Sequence, residues 1–106
     1  MAVVSLPGYE KAIWKLLPVD ERRALENHLA ENPEIYPVVS GTGGVRKARW
    51  SRGATGKSGG IRVIFYFMSH RGVIYMMRAY AKSTQSTLSP SDKKVLKQLV
   101  AEIKNR

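Results

Sequence analysis

Between Ile35 and Ser91 the chain carries nine basic residues and no Asp or Glu: Arg46, Lys47, Arg49, Arg52, Lys57, Arg62, Arg71, Arg78 and Lys82. A stretch this long without a carboxylate cannot neutralise itself through local ion pairs. It projects a positive field that attracts polyanions and speeds their encounter. The flanks differ. Residues 1–34 hold six acids against four bases, and residues 92–106 hold two acids against five bases. The net charge of +10 is therefore concentrated in the middle of the chain. A surface built only for solubility intersperses the two signs, so this pattern favours a polyanionic partner over a merely solvated face.

The elements that must position these cations follow from periodicity and punctuation, in the order β-α-α-β-β-β-α. Val3 to Leu6 is a short apolar strand closed by Pro7-Gly8. Tyr9, Ile13, Leu16 and Leu17 share a helical stripe that Pro18 ends. Asp20 is placed to cap a second helix reaching Glu31, with Leu25 and Leu29 one turn apart. A glycine loop, Ser40-Gly41-Thr42-Gly43-Gly44, leads into a strand from about Val45 to Ser51. A Gly/Ser loop over Arg52 to Gly60 follows, then strands Ile61 to Met68 and Val73 to Lys82 joined by Ser69-His70-Arg71-Gly72. Ser89-Pro90-Ser91-Asp92 opens a last helix whose stripe is Val95, Leu96, Leu99, Val100 and Ile103. The expectation is one α+β domain over residues 1–106, a small antiparallel sheet with two N-terminal helices and one C-terminal helix.

Strand alternation then sorts the cations. It turns Trp50, Val63, Phe65 and Met77 toward the helices, packed on one face. Lys47, Arg49, Arg62, Arg78, Tyr80 and Lys82 turn outward together. A register slipped by one residue would bury the arginines at a cost of several kcal/mol each. One face is thus expected to be a core and the other an open basic groove. Each base alone reads equally well as a solvated sheet residue; the cluster does not.

Several other chemistries drop out. The absence of cysteine removes disulfides, thiol nucleophiles and thiolate zinc sites. Gly53-Ala54-Thr55-Gly56-Lys57-Ser58 is like the end of a phosphate-binding P-loop, but that motif needs glycine where Ser51 stands, and it precedes a helix. A flexible basic loop reaching toward an RNA backbone fits better. His28 and His70 are far apart in sequence, no carboxylate pair lies near the basic face, and a Ser-His-Asp set lacks its Asp there. No apolar run is long enough to span a membrane, and a cytoplasmic protein without cofactor or metal is expected. What remains is chemistry that cations serve. Cutting RNA requires a 2′-oxygen to attack the adjacent phosphorus. The backbone must be held in line, the 2′ proton taken, the phosphorane neutralised and the leaving 5′-oxygen protonated. Clustered cations supply positioning and charge stabilisation. They also depress each other's pKa, which moves a lysine or a tyrosine toward use as base or acid.

Gly41-Thr42-Gly43-Gly44-Val45-Arg46-Lys47, Gly56-Lys57-Ser58-Gly59-Gly60-Ile61-Arg62-Val63-Ile64, Tyr80-Ala81-Lys82 and the Leu88-Ser89-Pro90 helix start together resemble the RelE/HigB toxins of bacterial type II toxin–antitoxin systems. Asn32-Pro33-Glu34 ahead of the glycine loop fits as well. The resemblance implies a compact microbial-RNase-like fold and metal-independent cleavage of mRNA in the ribosomal A site, which inhibits translation. It implies contacts with ribosomal RNA and inhibition by a cognate antitoxin, often a helix-turn-helix protein. DNA would be met only through the antitoxin complex. The family's basic pair falls on Lys47 and Arg49, its phosphate-contacting arginine on Arg62, and its cation at the end of the last strand on Lys82, with Tyr80 on the same face. These five are the catalytic candidates; Arg46, Arg52, Lys57 and Arg78 are candidates for RNA binding. Some relatives place a tyrosine or histidine near the C-terminus, and Ser89 to Arg106 contains neither. Lys47, Tyr80 and Lys82 are then the candidates for proton transfer. Two other readings carry the same electrostatics: a non-catalytic RNA-binding module, and a DNA-binding subunit acting only with its partner. The latter lacks a helix-turn-helix pattern of its own.

Overall fold

The computed structural model describes residues 1–51, 60–84 and 87–106. In chain order it contains β1 (Ala2–Ser5), α1 (Pro7–Leu16), α2 (Val19–Glu31), β2 (Arg46–Trp50), β3 (Ile61–Met68), a 3-10 turn (Ser69–Arg71), β4 (Val73–Ala81) and α3 (Pro90–Lys104). This is the expected α+β order. The four strands form one sheet in the order β1-β4-β3-β2. β2, β3 and β4 are antiparallel as expected, and β1 joins the edge parallel to β4, which makes the sheet mixed.

The helix boundaries have local causes. Pro7 stands in the first turn of α1, where its missing N–H costs nothing, and Pro18 follows the end of that helix. The N-cap of α2 is Pro18, not Asp20. Asp20 and Glu21 instead lie in its first turn, where carboxylates meet the positive end of the helix dipole. Arg22 ties the two helices together. Its guanidinium reaches Glu10 at 2.6 Å and Glu26 at 2.9 Å, and its carbon lies 4.8 Å from the Trp14 ring centre. α3 starts on a full capping box. Ser89 accepts from the Asp92 N–H, and the Asp92 carboxylate accepts from the Ser89 N–H.

The helices cover both faces of the sheet, which corrects the expectation of a single covered face. Tyr9, Ile13, Leu25 and Leu29 from α1 and α2 pack on Ala48, Val63, Phe65, Ile74 and Met76, with Trp50 and Phe67 half-buried at the margin. On the other face Leu96, Val100 and Ile103 of α3 pack on Val45, Ile64, Tyr66, Tyr75, Met77 and Tyr80. Met77 is on this second face, contrary to strict alternation. β4 carries one extra residue there, because Ile64 pairs with Arg78 while Phe65 pairs with Met76. A bulge of this kind shifts the alternation by one position. It returns Arg78 and Tyr80 to the side that carries Arg62.

Candidate nucleic-acid interface

Arg62 pairs across the sheet with Arg49 on one side and with Tyr80 on the other. The three side chains therefore form one row across β2, β3 and β4. Lys47 stands two residues from Arg49 on the same face. Lys82 follows β4, and its N–H bonds the Gly60 carbonyl at 3.2 Å, which carries the pairing one step past the strand end. Lys47, Arg49, Arg62 and Lys82, with Tyr36 and Pro37, line one open cleft of about 330 Å³. Arg49 and Lys82 are exposed and Lys47 is half-buried. Arg62 is 6% exposed and donates to the Ile61 carbonyl at 3.3 Å. The floor is thus a fixed arginine, and the rim carries three cations.

The glycines on either side fix this arrangement. Gly60, directly before β3, has a φ of 62°, and a Cβ there would come within 2.1 Å of the Trp50 carbonyl oxygen. Only glycine allows the two strands to approach so closely beside Arg62. The loop ahead of β2 is closed by Thr42, fully buried, whose hydroxyl donates to the Val39 carbonyl and accepts from the Val45 N–H.

Tyr80 is on the same face as the cations but is buried, under the apolar layer that α3 and Leu88 form. Its hydroxyl has no hydrogen-bond partner among the described residues. Burial pushes its pKa above the ordinary tyrosine value, Asp92 adds to this, and Arg62 opposes it. The sequence argument expected neighbouring cations to lower it. Desolvation outweighs them, so the hydroxyl is a proton donor at neutral pH and not a base. The RNA-binding candidates divide differently. Arg78 forms a 2.8 Å ion pair with Asp92 at the start of α3 and does not line the cleft. Arg46 alternates to the other side of β2 and donates to the carbonyls of Tyr36 at 2.6 Å and Glu34 at 3.3 Å. It holds the segment before the glycine loop. Arg52, Lys57 and the whole Gly53–Ser58 run lie outside the described residues.

Two cleft residues escaped the sequence reading, Tyr36 and Pro37. The one signal was an aromatic residue before a proline, which favours extended backbone there. A larger groove of about 400 Å³ between α1 and the end of β4 is lined by Ala12, Leu16, Ala79 and Ala81, with Lys11 and Lys15. It lacks the converging cations of the first cleft. Among the described residues no group of His, Asp and Glu is placed to hold a metal, and no helix is long and apolar enough to cross a membrane.

The family model described as the RelE toxin of the RelE/RelB toxin–antitoxin system matches residues 40–106, more than half of the chain. The chain belongs to the RelE toxin family. The span matched by the RelE family contains all four cleft cations and begins after Tyr36 and Pro37. Solved RelE structures share the fold. The chain is similar to one in the crystal structure of the intact E. coli RelBE toxin–antitoxin complex, at 16% identity and a TM-score of 0.55 over 76% of this chain and 94% of that one. It is similar to a mutant E. coli RelE in the free state, at 16% identity and a TM-score of 0.56 over 80% and 86%. The isolated E. coli RelE toxin matches over 92% of this chain and 97% of that one, at 16% identity and a TM-score of 0.55.

Proposed function

We propose that this RelE-family chain is an endoribonuclease that cuts messenger RNA in the ribosomal A site and so blocks translation. It acts in the cytoplasm, touches ribosomal RNA while docked, and is held in check by a cognate antitoxin. That antitoxin is a helix-turn-helix protein, and DNA is met only through the toxin–antitoxin complex. The observation that carries the reading is the convergence of Lys47, Arg49, Arg62 and Lys82 on one cleft.

The reaction needs no group beyond these side chains. The 2′-oxygen attacks the adjacent phosphorus, the P–O bond to the 5′-oxygen breaks, and a 2′,3′-cyclic phosphate and a 5′-hydroxyl result. Arg62, fixed at the cleft floor, binds the scissile phosphate through its planar fork of donors. Arg49 and Lys82 neutralise the charge that grows on the phosphorane. Lys47 takes the 2′ proton or adds to that neutralisation. Tyr80, protonated and with a free hydroxyl close to Arg62, is the donor available to the leaving oxygen once RNA opens a path to it. Weak activity on free RNA follows, because none of these groups is a histidine poised near neutrality. The ribosome supplies the missing alignment of the strand.

Expression in growing bacteria tests this. The wild-type chain is expected to arrest growth and produce new 5′ ends inside translated messages. Co-expression of a short neighbouring reading frame is expected to restore growth. Arrest without new 5′ ends would favour a non-catalytic RNA-binding module.

A further inference from the structure

We propose that Tyr36 forms a nucleobase subsite of the cleft, a fixed aromatic wall against which the base beside the scissile phosphate packs. The inference rests on the reading that the cleft takes an RNA strand. It goes beyond that reading by naming what recognises the base, since the four cations contact phosphate and carry no sequence information.

Three observations support it. First, Tyr36 lines the same cleft as Lys47, Arg49, Arg62 and Lys82, and it is the cleft's one aromatic residue. A cation floor with an aromatic wall is the usual arrangement of single-strand RNA sites, where phosphates meet charge and bases meet rings. Second, the ring is held far more firmly than its place in an irregular segment requires. Its hydroxyl hydrogen-bonds His28 Nε2 at 2.8 Å. Its ring lies edge-on to His28 at 5.9 Å and to Phe65 at 6.4 Å. Its carbonyl accepts from Arg46, and the next carbonyl, that of Pro37, accepts from the Lys47 N–H at 3.3 Å. His28 itself leans on Trp50 at 5.7 Å. Groups from α2, β2 and β3 thus fix one half-buried ring, which is how a binding surface is prepared before its ligand arrives. Third, Tyr36 precedes the span common to the RelE family, residues 40–106. The shared cations would serve the cleavage step, and the segment in front of them would set which base is accepted.

Two measurements decide the matter. In the wild-type protein, the ring signals of Tyr36 are followed by NMR during titration with inorganic phosphate and with adenosine 3′,5′-bisphosphate. Both ligands are expected to shift amide signals around Arg62, and only the nucleotide is expected to shift the Tyr36 ring. Equal ring shifts with both, or none with either, overturn the subsite. On ribosome-bound messages, Tyr36→Leu is expected to cut about 5- to 100-fold more slowly, the range for loss of one base-stacking ring. It is also expected to lose the base preference of the wild type at the cut codon. Tyr36→Phe and Tyr36→Trp are expected to restore that preference, with Phe slower than wild type because its tether to His28 is gone. A Tyr36→Leu protein that keeps the wild-type rate and preference overturns the subsite while leaving the ribonuclease reading intact. A wild-type protein that cuts nothing removes the ribonuclease reading, and the NMR titration still decides the subsite. Should Tyr36→Leu fail to fold, that titration decides it alone.

Discussion

Arg62 faces Arg49 across one strand pair and Tyr80 across the other, an arrangement that costs stability until an anion arrives. Like charges directly opposite each other in a sheet repel, and a buried hydroxyl without a partner costs about 1–3 kcal/mol. Both features make sense as a site waiting for a phosphate. Arg62→Ala is expected to lower cleavage of ribosome-bound message by about 10²–10³-fold, the usual loss of one fixed charge-stabilising donor, with far-UV circular dichroism unchanged. Arg62→Lys recovers little of this, because an ammonium lacks the planar fork. Tyr80→Phe separates stability from function. Removing the orphan hydroxyl is expected to raise Tm slightly and to slow cleavage. An unchanged rate would take Tyr80 out of the reaction. Period-two alternation was enough to read Lys47, Arg49, Arg62 and Lys82 from the sequence as one set. Arg46 was not legible, because its partners are main-chain carbonyls of an irregular segment. Arg78 was not legible either, because its partner Asp92 comes from an element whose docking the strand pattern does not encode.

At the scale of elements, α3 is the helix whose start the sequence marked most clearly and whose position it left open. Ser89-Pro90-Ser91-Asp92 names the cap, but an apolar stripe does not say which face of a sheet it covers. The bulge in β4 was equally hidden, since nothing in Met77-Arg78 breaks the alternation. Ser89→Ala is expected to cost about 1 kcal/mol in denaturant unfolding. Asp92 gives a pH dependence with a definite sign. The Ser89 N–H and Arg78 hold its carboxyl below the ordinary aspartate value. The stability it adds is therefore fully present above its unfolded pKa of about 3.9 and is lost as pH falls through its lower folded value. Glu10, depressed by Arg22, has the same sign. Acid unfolding followed by circular dichroism is expected to be steepest below about pH 4, and Asp92→Asn is expected to flatten it. Gly60→Ala tests the approach of β2 to β3. With the Trp50 carbonyl 2.1 Å from the new Cβ and φ positive, the strand end must shift, and both Tm and cleavage are expected to fall. A variant as stable and active as wild type would show that the cleft tolerates displacement of that end.

Across the whole molecule, charge and architecture point the same way. The acids cluster at the N-terminus, where Glu10 and Glu26 are spent on Arg22 between the first two helices. The middle of the chain, which supplies β2, β3 and β4, has none to offer its cations. An anion that binds the folded cleft stabilises the protein by mass action. Phosphate or sulfate is thus expected to raise Tm above that in chloride at equal ionic strength, and Arg62→Ala to reduce the gain. The element order and its RelE resemblance were legible in the sequence; how far α3 closes over the basic face was not, because that depends on packing between distant segments. The most direct test uses purified ribosomes carrying a defined message with an empty A site. Added wild-type protein is expected to cut once within the A-site codon, to leave the same message largely intact when free, and to lose the cut in the Arg62→Ala form. A message that stays whole on the ribosome at excess wild-type protein would contradict the account.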